Sequence, residues 1–261
     1  MRDLYSELSE KRKLHQQQGL VPEWYSTGGF QLFTEKYLYG TDSIRGQFER
    51  IANTAASYLA GIGQQTLAQQ KFFDLLWNGF LSPSTPVLSN MGTDRGLPVS
   101  CSGNFIDDSV EGFYNSYREV ALLTKQGFGT SSYLGNIRPR GSAISKGGKA
   151  SGVVPVFKHH VGDMRDITQG AARRGAWAGY LEITHGDFDE LADYVLSDPD
   201  DANVGWIITD AFIAGLNAGN TENLRRYQKA LKLKMVTGKG YFCKIDAINR
   251  RRPAMYVDRG M

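Results

Sequence analysis

Two residues in the sequence carry a thiol, Cys101 and Cys243. Cys101 lies in the stretch GLPVSCSGNFIDDSVEGF (96–113), between Ser100 and Ser102 and ahead of two aspartates. A thiol can act as a nucleophile or, with a second thiol, give up two electrons by closing a disulfide. The run before Cys101 reads as a strand ending at the cysteine, and reactive groups collect at the C-terminal ends of parallel strands. The competing reading is a buried small hydrophobe, a common fate of free cysteine. Cys243 is the one candidate partner within the chain, and nothing in the spacing shows that the two meet.

Four further stretches could hold an anion. TPVLSN (Thr85–Asn90) offers hydroxyls and backbone N–H groups at a turn, for a ligand or simply for an ST-turn. QGFGTSS (126–132) carries a Gly-x-Gly that permits close backbone approach around Gly127, or is only a loop. In NIRPRGS, Arg138 is stiffened by Pro139 and suits a phosphate, whereas Arg140 suits a surface ion pair. QGAARRGAWAG (169–179) sets Arg173 and Arg174 among small residues, fit for stacking on bases and forking phosphates, or for a solvated basic loop. With four histidines and no CxxC or HExxH spacing, no metal site is expected.

The elements that must position these groups fall in two parts. Residues 1–84 read as helical: Phe48, Ile51, Ala55, Tyr58, Leu59 and Ile62 recur at helical spacing, as do Leu67, Phe72, Leu75, Leu76 and Phe80. The two prolines of SPSTPVLSNMG mark the boundary. Residues 85–261 then alternate short apolar runs with amphipathic helices. SVEGFYNSYREVALLTKQ places Val110, Phe113, Tyr117, Val120 and Ala121 on one face, with Asp108 and Glu111 as a capping pair. VVPVFKHHVGDMRDITQG and DFDELADYVLS read as helices, RRGAWAGYLEI as loop into strand, DANVGWIITD as strand and DAFIAGLNAG as helix. This alternation predicts an α/β fold with a parallel sheet or barrel.

A net charge of +3 is too small to argue for nucleic acid, and no apolar run reaches the ~18 residues of a membrane span. Two cysteines are too few for a disulfide scaffold, which points to a reducing cytoplasm.

Taken in order, LSPSTPVLSNMG, PVSCSGNFIDDS, KQGFGTSSYLGNIRPRGS, VPVFKH, QGAARRGAWAGYLEI and AMYVDRG resemble the large catalytic (α) subunit of ribonucleotide reductase. The resemblance implies an N-terminal helical region followed by the first half of a ten-stranded α/β barrel. It implies that Cys101 is one of the redox pair that reduces the 2′-carbon of a ribonucleotide. Thr85, Ser100 and Gly127 match positions that hold the ribose and diphosphate. Asp108, Ser109 and Arg138 match those that bind a deoxynucleoside triphosphate or ATP effector. Gln169, Arg173 and Arg174 fall in the mobile loop that reports the effector to the active site. The helices at 109–125 and 153–168 would pack against a second copy as a four-helix contact.

The family's radical-bearing cysteine lies in an Asn-x-Cys-x-Glu segment beyond the MYxDRG-like stretch, and no such segment occurs in residues 1–261. The resemblance therefore implies one piece of a split large subunit, inactive alone, of the sort found in phage genomes and working in the host cytoplasm. Its partners would be the C-terminal piece, a second copy of itself, a radical-generating β subunit and thioredoxin or glutaredoxin as reductant. The radical would come from a metal in that β subunit rather than from adenosylcobalamin, and this chain would bind no cofactor of its own. A buried structural thiol is the expectation for Cys243. The other reading is a non-catalytic deoxynucleotide-binding module derived from the same subunit.

Overall fold

The computed structural model describes residues 3–59, 61–145, 147–167 and 175–258. Its contacts divide the described chain into two units, with the break between Ser100 and Cys101.

The first unit is helical. It comprises α1 (Asp3–Gln17), α2 (Thr27–Lys36), α3 (Ile44–Ser57), α4 (Ile62–Trp77) and α5 (Thr85–Asn90). Ser26 and Ser43 start α2 and α3 by accepting the amides of Gly29 and Gly46, each at 3.1 Å, which satisfies donors the helix itself cannot. Apolar residues at helical spacing give a core of Val21, Phe30, Phe33, Ile44, Phe48, Ile51 and Leu76. Gln47 is fully buried in it. Its amide donates to the carbonyls of Tyr37 and Leu88 and accepts from Tyr39 N and the Thr41 hydroxyl, both at 3.2 Å, so every polar atom is used.

Three expectations change here. TPVLSN is not a turn but α5: Pro86 stands in the first helical turn, where its missing N–H costs nothing. Val87, Leu88 and Met91 pack on the helical core, so residues 85–100 group with the helical unit and the division falls later than 84. On α3 and α4 the apolar face is narrower than the spacing suggested: Tyr58, Leu67 and Phe80 are exposed.

The second unit runs β1 (Cys101–Phe105), α6 (Val110–Lys125), β2 (Gly129–Tyr133), α7 (Val153–Asp166), β3 (Ala176–Glu182), α8 (Phe188–Ser197), β4 (Val204–Ile208), α9 (Asp210–Asn217), α10 (Thr221–Thr237), β5 (Tyr241–Lys244), α11 (Ile245–Arg250) and α12 (Ala254–Asp258). The strands form one sheet in sequence order β1-β2-β3-β4-β5, every neighbouring pair parallel. The helix-facing residues Trp177, Leu181, Val204, Trp206 and Ile208 share one core with Val120, Phe157, Leu191, Phe212 and Leu233 from α6 to α10. All the large crossover helices therefore lie on one side. Such single winding, without a reversal of strand order, is the arrangement of a barrel rather than of a doubly wound sheet.

On the other side Phe105, Tyr133, Tyr180, Gly205 and Tyr241 stand in one cross-strand row. A Cβ at Gly205 would come within 2.3 Å of the Tyr180 ring, so glycine there lets the ring lie over β4. Among the described residues, no helix is long and apolar enough to cross a membrane.

Candidate functional site

Asp108, Ser109 and Arg138 meet in the second unit. Ser109, not Asp108, caps α6, its hydroxyl accepting Gly112 N at 3.0 Å, and Glu111 sits in the first turn. The helix thus presents its positive end beside Asp108. Arg138 pairs with the Asp108 carboxylate, and its Nη1 donates to Ala143 O at 3.2 Å.

The loop bearing Arg138 is pinned by His185 and Asp187. Asp187 N donates to His185 Nδ1 at 3.1 Å, which leaves the imidazole proton on Nε2 to bond Ile137 O at 2.9 Å. The buried Asp187 carboxylate accepts Arg140 N at 2.9 Å and Val153 N at 2.8 Å, holding both ends of the loop. Gly152, at φ +77°, makes this possible: a Cβ would come within 2.3 Å of Asp187 Oδ2. Between those ends Gly141 N bonds Ala150 O and Ala150 N bonds Ser142 O, folding the loop back on itself. Arg140 forks Glu190 with two bonds of 2.6 Å and is thereby occupied, as its sequence context suggested.

These elements enclose a cavity of about 640 Å³, of the size that takes a small organic ligand. Its lining includes Asp108, Ser109, Arg138 and Lys149 together with Tyr114, Tyr117 and His159. Sequence reasoning did not single out Lys149, Tyr114 or His159 and took Tyr117 for core. The available signal was Tyr114 and Tyr117 one turn apart on α6, facing the KHH of α7. Burial beside Tyr114 and Asp163 pushes the Tyr117 phenol up to about 12. Val110, expected in the core face, is exposed and lines the cavity.

Cys101 is exposed and points away from the helices, but it opens β1 rather than closing it. It therefore lies at the N-terminal end of its strand, because pairing with β2 begins only at Cys101↔Gly129 and the preceding LPVS stays outside the ladder. Gly127 stands two residues before that partner, at φ +97°, its amide bonding Thr124 O at 3.0 Å where α6 turns into β2. A side chain there would meet no atom within 4 Å, so close approach to the backbone is open.

Cys243 faces the same side but is half-buried, not buried, and burial raises its thiol pKa. It sits on the opposite edge strand. Three strands stand between them and Cys101 is in register with Ala176 but Cys243 with Glu182, so at ~4.8 Å per strand step they are far beyond the ~4.4–6.8 Å between Cα atoms that a disulfide spans. On the same face Tyr133 donates to Glu182, and burial together with that bond lifts the phenol to about 12. Thr85 begins α5 in the helical unit, its carbonyl accepting the Ser89 hydroxyl at 2.9 Å, and Ser100 is the last residue of that unit. Gln169, Arg173 and Arg174 lie outside the described residues.

A helical unit followed by a singly wound parallel α/β sheet defines a barrel-type α/β fold with an N-terminal helical region. Comparison with known proteins gives the family. The ribonucleotide reductase all-alpha domain model matches residues 23–96 and the ribonucleotide reductase barrel domain model residues 99–229. The chain belongs to the ribonucleotide reductase large-subunit family.

Among its relatives, the ribonucleoside-diphosphate reductase large subunit of Vaccinia virus (strain Copenhagen) is 32% identical over 173 residues, 65% of this chain and 22% of the viral protein. A vitamin B12-dependent ribonucleoside-diphosphate reductase of Mycobacterium tuberculosis (strain CDC 1551 / Oshkosh) is 30% identical over 159 residues, 59% of this chain and 23% of that protein. The solved α subunit of the Actinobacillus ureae class Id ribonucleotide reductase superposes with a TM-score of 0.79 at 32% identity, over 92% of this chain and 44% of its own. The matched stretch thus spans less than a quarter of the curated relatives' length.

Proposed function

We propose that this chain supplies an electron-donating thiol and a nucleotide effector site to a ribonucleoside-diphosphate reductase. The observation that carries the reading is Cys101, exposed on the helix-free face of a sheet that belongs to the ribonucleotide reductase barrel domain. Reduction of a ribonucleotide removes the 2′-hydroxyl as water. Two thiols supply the two electrons and two protons and end as a disulfide. Cys101 is one of them, and its partner comes from sequence outside residues 1–261, since Cys243 is out of reach. The hydrogen-abstracting thiol, on an Asn-x-Cys-x-Glu segment, comes from there as well. Its radical originates at the metal of a β subunit, in preference to adenosylcobalamin, and thioredoxin or glutaredoxin resets the disulfide.

Thr85, Ser100 and Gly127 hold the substrate's ribose and diphosphate. Asp108, Ser109 and Arg138 bind a deoxynucleoside triphosphate or ATP, and Gln169, Arg173 and Arg174 report it to the active site. A second copy docks through α6 and α7; Tyr114 and Leu122 of α6 are exposed.

The test is reconstitution with a polypeptide bearing the Asn-x-Cys-x-Glu segment. Deoxynucleotide should form over many turnovers, and Cys101→Ser should abolish multiple turnover; an unimpaired Cys101→Ser chain overturns the assignment. One observation favours a second reading, a regulatory deoxynucleotide-binding module: the cleft is built wholly within residues 108–159, whereas Cys101 has no second thiol within bonding distance among the described residues. Effector binding without turnover in the reconstituted mixture would select it.

A further inference from the structure

β1 and β2 are held unlike β3 and β4. β1 stands at the edge of the sheet, paired with β2 alone, and none of its residues is buried. Its sequence, CSGNF, is polar and contains glycine, so no apolar face fixes its register. β2 (GTSSY) buries only Thr130 and Ser132, on its helix side. Neither strand contributes a residue to the apolar core that β3, β4 and the helices share.

The two strands are joined to the helices by a chain of hydrogen bonds through Asn104. Trp177 Nε1 of β3 donates to Ser132 Oγ at 2.9 Å, and Ser132 donates to Asn104 Oδ1. Asn104 Nδ2 donates to Ser116 Oγ at 2.9 Å and to Glu119 Oε2 at 3.2 Å, both on α6. Ser116 Oγ meets His160 Nε2 of α7 at 3.2 Å, and the His160 ring stacks on Trp177 at 4.5 Å, which closes the circle. Ser116, Ser132, His160 and Trp177 are all buried. The indole at one end can only donate and the Glu119 carboxylate at the other only accepts, so both fix the same orientation of the Asn104 amide.

Cys101 lies three residues before Asn104, on the opposite face of β1. A slip of β1 by one residue would turn Cys101 toward the helices, and a slip by two would carry it roughly 7 Å along the sheet. One step would set Gly103 or Phe105 in the place of Asn104, and two steps Ser102 or Ile106, none with an amide side chain. We infer that Asn104 is a positioning residue for Cys101: through Ser132 and α6 it locks the register of the strand that carries the thiol. The positioning role rests on Cys101 as the electron-donating thiol; the lock does not.

Hydrogen exchange of the full chain, read by mass spectrometry, tests the lock. Asn104→Asp removes the donor to Ser116 and sets a second carboxylate against Glu119. The amides of 101–105 should then exchange about ten-fold faster, while those of β4 keep their rate. Adding Glu119→Gln removes the like charge and returns a donor, so the double variant should recover slow exchange. Asn104→Leu has no polar atoms, so it should loosen β1 equally and gain nothing from Glu119→Gln. Unchanged β1 exchange in both single variants, equal acceleration in β4, or no rescue of Asn104→Asp overturns the lock.

In the reconstituted reductase, Asn104→Asp should lower kcat about ten-fold at unchanged KM, and Glu119→Gln should restore it. KM is spared because Thr85, Ser100 and Gly127, the nucleotide contacts of that reading, lie outside β1. Full turnover in a variant whose β1 exchanges fast overturns the positioning role. Full turnover in Cys101→Ser overturns the reading of the thiol and leaves the lock standing.

Discussion

The two units bury their polar groups in contrasting ways. In the helical unit a single amide, Gln47, ties Tyr37, Tyr39, Thr41 and Leu88 around one core, and apolar side chains from several directions close over it. In the sheet unit the helices cover one face, so the same strands carry residues of opposite character. Trp206 is wholly buried on the helix side, and Phe105 is 65% exposed on the other. The lesson is that close packing and exposed polar side chains are separated by the thickness of one sheet: the helix side holds the fold, and the free side carries Cys101, Tyr133, Glu182 and Tyr180.

The largest effect expected from breaking this asymmetry is at Trp206. Trp206→Ala should cost about 4 kcal/mol of unfolding free energy in urea titrations, against about 0.5 kcal/mol or less for Phe105→Ser. Equal costs would mean that the free face is packed as tightly as the covered one.

Next comes the clamp. Asp187→Ala strands the amides of Arg140 and Val153, one of them fully buried, and should cost about 3 kcal/mol. Because the same loop carries Lys149, triphosphate affinity should fall together with stability. A variant that loses stability but binds normally would show that the loop does not shape the cleft.

The smallest effect, over the range from neutral to mildly acidic pH, is a pH dependence. Burial, helped by neighbouring His159, holds the His160 imidazole near pKa 3, below the ordinary 6.5. As pH falls below 6.5 the unfolded chain takes up this proton before the folded one does, so stability is complete above 6.5 and declines toward 3. The slope is bounded by about 1.4 kcal/mol per pH unit for one proton. His160→Phe, measured by urea midpoints from neutral to mildly acidic pH, should flatten that limb. An unchanged limb would assign acid sensitivity to the carboxylate pairs instead, such as Asp189, which Arg225 and Lys229 hold well below the usual range.

Much of the sheet unit was legible in the sequence. The amphipathic patterns of α6, α7, α8 and α9 and the apolar run of β4 appear where the spacing places them. What escaped did so for physical reasons. β1 reads CSGNF, too polar to announce where it starts, and its limits are set by pairing with β2 rather than by its own residues. α10 is so rich in Arg and Lys that its narrow apolar stripe, Ala230 and Leu233, does not stand out; its charges are spent on Asp189, Asp193 and Glu222. At the cavity, Arg138 stood out because Pro139 restricts it, whereas Asp108 read as a helix cap and Ser109 entered only through the family resemblance. Tyr114, Tyr117 and His159 were not readable as cavity residues, since aromatic residues at helical spacing look alike whether they face a core or a cleft. Only the packing of Tyr117, face-on to His159 and edge-on to His160, separates those roles.

The Asp187 clamp has a kinetic corollary. Two amide protons far apart in the chain, on Arg140 and Val153, answer to one carboxylate, so a single opening event exposes both to solvent. In deuterated water they should exchange in step, and occupancy of the adjoining cleft should slow both by the same factor.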